Sequence, residues 1–232
     1  MRYFYSRDIQ GDEVILSAEE HKHLYRVLRL KVGDEVQVMD GEGYLYHCRL
    51  KFSEKDRSVL EIISKKFHER SGLWIHILIA PTKNQSRIEW LIEKGTELGL
   101  SRISFIQCER SEKTRLKVER LQRVAQSALK QSRNPYMLVI DGLLPFEEAL
   151  GFEADLKYVA HCEDDRNRTF LESKKGKSVL VLIGPEGDFT EREIEMAKKC
   201  GFHELTLGNT RLRTETAGLY AVAALKALSE NT

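Results

Sequence analysis

Val179-Leu180-Val181-Leu182-Ile183-Gly184-Pro185-Glu186-Gly187-Asp188-Phe189-Thr190 is the stretch whose reading decides the fold. A short apolar run breaks at Gly184 into a loop. Thr190-Glu191-Arg192-Glu193 then fits a capping box and opens a helix. A strand that stops at a glycine loop and a helix N-terminus offers backbone N–H groups to a ligand. Leu205-Thr206-Leu207-Gly208-Asn209-Thr210-Arg211-Leu212-Arg213-Thr214-Glu215-Thr216-Ala217 repeats the pattern. Two such loops close in sequence make one candidate pocket.

Working outward, the chain from Leu73 onward alternates strand and helix. Strands are expected at Leu73–Ala80, Ile103–Gln107, Tyr136–Ile140, Leu156–Ala160, 179–183 and 203–207. Helices are expected at Arg87–Leu98, Val118–Gln131, Phe146–Leu150, 190–200 and about 213–229. Such alternation means βαβ units and a mostly parallel sheet in an α/β domain. Gly99 caps the first of these helices, and Ser173–Ser178 reads as a charged turn. The last helix is apolar nearly all round, from Ala217 to Leu228. It is expected to be buried on most sides, against the sheet and against a second subunit.

Residues 1 to about 70 follow another grammar, with a boundary near His68-Glu69-Arg70-Ser71-Gly72. Short alternating strands are expected at Arg2–Tyr5, Glu35–Met39, Tyr44–Phe52 and Ser58–Ile63, with turns at Asp40–Gly43 and Ser53–Asp56. This predicts a small β-barrel. A capping box at Ser17–Glu20 opens one helix, which carries His21, Leu24, Val27 and Leu28 at helical spacing and ends near Lys31–Asp34. His23, Arg26 and Arg29 lie along it, either as a plain polar face or as an RNA-contacting edge.

Composition narrows the class. With 232 residues, 41% hydrophobic and 31% charged, the chain has material for a real core. No apolar run reaches the roughly 20 residues of a membrane span, and no signal-peptide region follows Met1, so a cytoplasmic protein without membrane contact is expected. Cys48, Cys108, Cys162 and Cys200 have neither CxxC nor finger spacing, and the histidines form no HExxH. Free thiols and no metal are expected. Net charge is +1, but the stretch Glu109–Arg133 concentrates Arg110, Lys113, Arg115, Lys117, Arg120, Arg123, Lys130 and Arg133. Such a local basic face either binds phosphate or is simply solvated.

The Gly184 loop is neither GxGxxG nor GxxxxGK[ST], so dinucleotide and P-loop readings are weak. Backbone amides and carbonyls in such a loop suit a ligand with an adenine edge, a ribose and a zwitterionic tail. In the second loop, Arg213, Thr214, Glu215 and Thr216 open an apolar helix. They serve either as helix caps or as a site, with Arg213 and Glu215 free to face different ways.

Ile183–Glu193 resembles the IGPEGGFS-x-x-E motif of the SPOUT-class 16S ribosomal RNA uridine-N3 methyltransferases. Leu207–Ala217 is similar to their LG-x-x-ILRTETA motif. His23–Arg29 resembles HL-x-RVLR, Glu93–Gly99 resembles QKATELG, and Gln131–Pro135 resembles a shortened EQS-x-R-x-x-x-P. The matches run in order along the whole chain. The resemblance implies an α/β, SPOUT-type methyltransferase domain over 73–232 with a parallel sheet and a deep C-terminal trefoil knot. It also implies a PUA-like RNA-binding β-barrel over 1–70, a homodimer, and methylation of uridine N3 in 16S rRNA, on the assembled small subunit. S-adenosylmethionine would be held by Leu182, Ile183, Gly184, Pro185, Glu186, Gly187, Leu207, Gly208, Leu212, Arg213, Thr214, Thr216 and Ala217. His23, Arg26, Arg29 and Arg133 would meet RNA.

The family has a second glycine where this chain has Asp188, and Ile where it has Arg211. If position 188 needs positive φ, Asp accepts it better than most residues. Transfer to N3 needs the target base out of its stack, loss of the N3 proton, and stabilisation of the resulting charge. Arg213 is the candidate for the charge, and Glu215 for a base or for holding the loop. Glu97, Lys83 and Arg133 are candidates to line the cleft. The alternative is a non-catalytic rRNA-binding or assembly factor with a vestigial cofactor pocket, which would bind no S-adenosylmethionine in a calorimeter.

Overall fold

The computed structural model divides into two compact units, Met1–Arg70 with Gln126–Met137, and Ser71–Ala125 with Leu138–Thr232. It describes residues 2–70, 72–112, 115–162 and 176–230, Glu230 by its backbone alone. Lys113 of the basic stretch and residues 173–175 of the charged turn lie outside these.

The first unit is a curled six-stranded mixed sheet. Its strands are β1 (Tyr3–Tyr5), β2 (Ile9–Gln10), β3 (Glu13–Ile15), β4 (Glu35–Met39), β5 (Tyr44–Ser53) and β6 (Ser58–Phe67), in the order β1-β4-β5-β6-β3-β2. Only β1 and β4 pair in parallel. Register shifts at His47/Cys48 and Leu50/Phe52 bend the long β5–β6 ribbon. The Ser6 hydroxyl donates to the Ile15 carbonyl at 2.5 Å, drawing the chain after β1 onto β3. Phe4, Val14, Leu24, Val36, Val38, Cys48, Leu50 and Leu60 fill the interior with no exposed surface.

The expected single helix after Ser17 is two pieces. Helix α1 (Ala18–Lys22) passes into a π-helix, His23–Val27. Its wider turn carries Val27 off the apolar face to 64% exposure. The helix stops there, and Arg29 takes a positive φ of 50°. The β2–β3 hairpin around Gly11 has no counterpart among the expected strands, being short and largely polar.

Residues 126–137 complete this unit. Gly43 N–H donates to the Pro135 carbonyl (3.1 Å) and Met137 N–H to that of Gly41 (2.9 Å). The Tyr136 hydroxyl donates to the His68 carbonyl (2.6 Å). A Cβ on Gly43 would stand 2.6 Å from that hydroxyl oxygen, so only glycine fits. With Tyr136 committed here, the strand expected at Tyr136–Ile140 starts later, as β9 (Val139–Pro145).

The second unit is a six-stranded parallel sheet. To β9 it adds β7 (Trp74–Ile79), β8 (Arg102–Gln107), β10 (Leu156–Ala160), β11 (Ser178–Ile183) and β12 (His203–Leu205), in the order β12-β10-β11-β7-β8-β9. Its helices are α2 (Gln85–Glu97), α3 (Val118–Ser132, whose end belongs to the first unit), α4 (Phe146–Ala149), α5 (Glu191–Lys199) and α6 (Thr214–Glu230). The apolar runs are continuous because both faces are covered. Leu78, Leu180, Leu182 and Val159 join Phe146, Phe189, Ile194 and Ala197 in one core. On the other side, α6 approaches β7 so closely that a Cβ on Gly218 would stand 3.1 Å from Ile79 Cδ1.

Across β7, β8 and β9 runs a polar chain, buried at His76 and Ser104 and half-buried at Arg102 and Asp141. Arg102 holds Asp141 with two hydrogen bonds, Nε at 2.7 Å and Nη2 at 3.1 Å. The Ser104 hydroxyl donates to Asp141. That hydroxyl has one proton, so at the 2.8 Å contact between His76 Nε2 and Ser104 Oγ the imidazole is the donor. His76 therefore carries a proton on Nε2. Burial, and then the nearby Arg102 charge, push its pKa down to about 4.

Candidate functional site

In the parallel register Ile183 lies beside Ile79 and Ala160, and Ala160 beside Leu205. The chain therefore leaves β7, β10, β11 and β12 at one edge of the sheet, the carboxyl end. The connections from β7 build outward through β8 and β9, while β10 and β12 lie on the opposite side of β11. Such a switch point is where open α/β sheets bind ligands. The two loops singled out in the sequence both emerge here.

The first loop, between β11 and α5, is pinned from below and from the side. Phe189 is fully buried against Phe146, ring centroids 5.8 Å apart. Gly184 lies over the same ring, where a Cβ would stand 3.1 Å from Phe189 Cδ2. Arg110 Nη1 donates to the carbonyls of Gly187 (3.1 Å) and Phe189 (3.3 Å). The capping box forms as the sequence predicts. Thr190 Oγ1 accepts from Glu193 N–H (3.3 Å), and Glu193 Oε2 accepts from Thr190 N–H (2.8 Å). The other carboxylate oxygen accepts from Glu109 N–H at 2.8 Å.

Asp188 has a φ of 63°, in the left-handed region that its family position anticipates. Its carboxylate does not stand free. One oxygen accepts from Phe189 N–H (2.8 Å), the other from Cys162 N–H just beyond β10 (2.7 Å).

The second loop, 206–213, carries Gly208 at φ 114° with open space where a Cβ would be. Two hydrogen bonds stitch it to the first. Thr214 Oγ1 donates to the Gly184 carbonyl (3.2 Å), and Arg211 Nη2 donates to the Glu186 carbonyl (3.1 Å). Arg87 in the first turn of α2 spans both loops, with Nη1 at 3.3 Å from Glu186 Oε1 and Nε at 3.5 Å from Glu215 Oε1.

The sequence-predicted residues thus divide. Gly184, Glu186, Thr214 and Glu215 are brought together. Leu182 is fully buried in the core and offers the site only backbone. Pro185, Leu207, Leu212, Thr216 and Ala217 are half-buried around the loops, and Gly187 is exposed. Arg213 is exposed; its carbonyl accepts from Ala217 N–H (2.8 Å), and its side chain makes no hydrogen bond or ion pair among the described residues. Glu215 is 6% exposed, faces Arg87, and keeps one carboxylate oxygen without a hydrogen-bond partner. Lys83 is paired with Glu112 (3.6 Å) and is exposed. Glu97 is held by Lys94 at 3.0 Å. It sits at the far end of α2, about 15 Å along the axis from Arg87 by helical rise, and so does not line this site.

His23, Arg26, Arg29 and Arg133 lie in the first unit. There His23 meets Phe4 (ring centroids 6.1 Å) and Arg133 stacks over Tyr3 (5.2 Å).

As a site residue Arg87 escaped the sequence reading altogether, while Arg110 entered it only as part of the basic stretch and Arg211 only as the residue in place of the family's Ile. One signal was available. A cation in the first turn of a helix opposes the macrodipole, and Arg87 stands three residues after the Asn84 cap. A cavity of about 10 Å³ lined by Gln85, Ile88, Leu116 and Leu121 has room for one water at most. Burial, and secondarily the Glu193 charge, raise the Cys108 thiol to about 12, far from a nucleophile's range. Among the described residues no cluster of His, Cys, Asp or Glu could hold a metal ion, and no helix is long and apolar enough to cross a membrane.

Residues 69–226 match the model of the RNA methyltransferase domain, and 16–63 that of the RNA methyltransferase PUA domain. The ribosomal RNA small subunit methyltransferase E of Bacillus subtilis (strain 168) is 32% identical, over 93% of this chain and 90% of its own length. That of Aquifex aeolicus (strain VF5) is 31% identical, over 97% and 99%. A probable rRNA methyltransferase from Porphyromonas gingivalis superposes with a TM-score of 0.89 at 35% identity, covering 100% of this chain and 99% of its own. The methyltransferase E of Neisseria gonorrhoeae, solved bound to S-adenosyl methionine, gives 0.81 at 27%, covering 99% and 98%. With both regions matched and relatives alike over nearly their whole length, the chain belongs to the RNA methyltransferase family, among the ribosomal RNA small subunit methyltransferases E.

Proposed function

We propose that this protein transfers a methyl group from S-adenosylmethionine to N3 of a uridine in 16S ribosomal RNA, acting in the cytoplasm as a homodimer on the assembled small subunit. The observation that carries the reading is the pair of loops stitched together at the switch point, Gly184 to Thr214 and Glu186 to Arg211. The residues fit the cofactor. The N–H groups of Leu207, Asn209 and Leu212 donate to no backbone carbonyl among the described residues. Gly208 leaves open space beside them. Leu182–Gly187, Leu207–Gly208 and Leu212–Ala217 would hold it, largely through backbone. The cofactor supplies an electrophilic methyl group.

The protein's own residues have the remaining tasks. Arg213, exposed and without an ion-pair partner, lies beside the loop and stabilises the negative charge on uracil as N3 gives its proton to solvent water. Glu215, enclosed and facing Arg87, braces the loop rather than moving a proton. The trefoil knot is supported by the path of the chain after β12. From that sheet edge it returns past β10 so that α6 packs on β7 and β11. Half-exposed Tyr220 on α6 suits a subunit interface. His23, Arg26, Arg29 and Arg133 meet RNA from the first unit.

The test is mass mapping of methylated nucleosides. Undermethylated small subunits incubated with the protein and S-adenosylmethionine should gain one N3-methyluridine. No gain, or a methyl on another atom, refutes the proposal.

A further inference from the structure

The π-helix of the first unit builds a surface that the methyl-transfer reading leaves unused. His21, in α1, is 5% exposed and fixed at both ring nitrogens, Nδ1 by Ser58 Oγ (2.8 Å) and Nε2 by the Lys55 carbonyl (3.0 Å). The Tyr25 ring lies on it, centroids 5.5 Å apart and planes 23° from parallel. Tyr25 is nevertheless 41% exposed. One face of its ring therefore rests on an immobilised imidazole while the ring stays open to solvent. The turn that places it there is a π-turn, closed by Leu28 N–H to His23 O at 3.0 Å. Single π-turns concentrate at functional positions.

Along the helical stretch that carries this ring the exposed charge is mainly positive, while the 53–57 loop behind His21 mixes Glu54 and Asp56 with Lys55 and Arg57. Lys22, Arg26 and Arg29 are exposed, and none of their side chains has a hydrogen-bonding or ionic partner among the described residues. Of the acids in the same stretch, Glu20 is buried and neutralised by Lys130, which leaves only Glu19 in solvent. An exposed aromatic ring with unpaired cations three residues before it and one and four residues after it in the chain is complementary to a nucleobase with its flanking phosphates. Stacking on such a face is sequence-tolerant, because every base has a π-face. An apolar protein partner would not call for the cations.

We infer that Tyr25 is a stacking shelf for one unpaired base of the RNA substrate, backed by His21, with Lys22, Arg26 and Arg29 on the adjoining phosphates. This rests on the reading of the first unit as RNA-binding and specifies the form of RNA that it takes. A duplex keeps its bases stacked on one another and can use only the cations, so the shelf selects single-stranded segments.

The experiment uses the full chain and a short unpaired RNA carrying 2-aminopurine, with a blunt RNA duplex of equal length as the comparison. Tyr25→Ala should weaken the single strand by about 10-fold and abolish the quenching of 2-aminopurine on binding. It should leave duplex affinity within about twofold, since phosphate contacts are intact. Tyr25→Phe keeps the ring and should behave as wild type. Arg26→Ala with Arg29→Ala should weaken both ligands and flatten their salt dependence. Melting curves show that each variant folds. If Tyr25→Ala binds the single strand as wild type while the arginine variant weakens both, the shelf is refuted and the cationic surface stands. If neither variant changes binding, the RNA reading of this surface fails with it. A Tyr25→Ala defect seen only on intact subunits, and not with free RNA, marks a protein contact and also overturns the shelf.

Discussion

Arg213 and Glu215 stand two residues apart at the start of α6 and meet opposite fates. One is solvent-exposed without an ionic partner, while the other is enclosed against Arg87. Removing Arg213 should therefore cost chemistry and not folding. Arg213→Ala is expected to lower methyl transfer by about 100-fold, the scale for one group that stabilises developing charge. Its melting temperature should stay at the wild-type value. Single-turnover kinetics and a thermal melt on the same sample check both halves. Asp188 is the converse case. Two backbone N–H groups occupy its carboxylate, so it shapes the loop and places no free charge beside the cofactor. Asp188→Gly restores the family residue and relieves the positive φ, but unties Cys162. The variant should be destabilised by about 1–2 kcal/mol through loss of hydrogen bonds to a charged acceptor. It should also bind S-adenosylmethionine more weakly, as titration calorimetry would show; unchanged values in both would remove Asp188 from the loop's support.

Between elements, the parallel strands carry a titration of their own. The His76 pKa of about 4 lies below its ordinary 6.5. Between those values the unfolded chain binds a proton that the folded chain refuses, so stability is complete above pH 6.5 and falls as pH drops toward 4. The loss from pH 7 to pH 5 should be about 2 kcal/mol. His76→Gln keeps a donor for Ser104 but does not titrate, and its denaturation midpoint should change that much less with pH. Helix α2 reaches both loops through Arg87. Arg87→Ala should cost about 2–3 kcal/mol, because it strands the enclosed Glu215 carboxylate. Adding Glu215→Gln should recover part of that loss in a double-mutant cycle.

These elements were not equally legible in the sequence. Leu156–Ala160 and Val179–Ile183 announce themselves as strands, since burial on both faces leaves a continuous apolar run. Thr190–Glu193 announces a helix start, since the cap is local. The clasp of Arg110 on Gly187 joins residues far apart in sequence, and no periodicity reports such a contact. The π-turn was hidden as well, because Leu24 and Leu28 satisfy an ordinary helical period and only the exposure of Val27 betrays the extra residue. The hairpin Ile9–Ile15 is too short and polar to show any pattern. Glu97 shared a family motif with the site and proved to sit at the wrong end of its helix.

At the scale of the whole molecule, neither unit is one continuous stretch of chain. The first takes residues 126–137 from beyond β7, α2, β8 and the first half of α3. Gly41, Gly43 and His68 give their backbone groups to that segment. On the ribosome, residues 1–70 therefore emerge before the piece that closes them. The nascent first unit must wait, incomplete, for more than half of the polypeptide to be made. A stalled nascent chain with residues 1–70 clear of the exit tunnel should be cut readily by protease, and one with Met137 also clear should resist. The position of this short segment thus sets when, during its own synthesis, the molecule acquires a finished first unit.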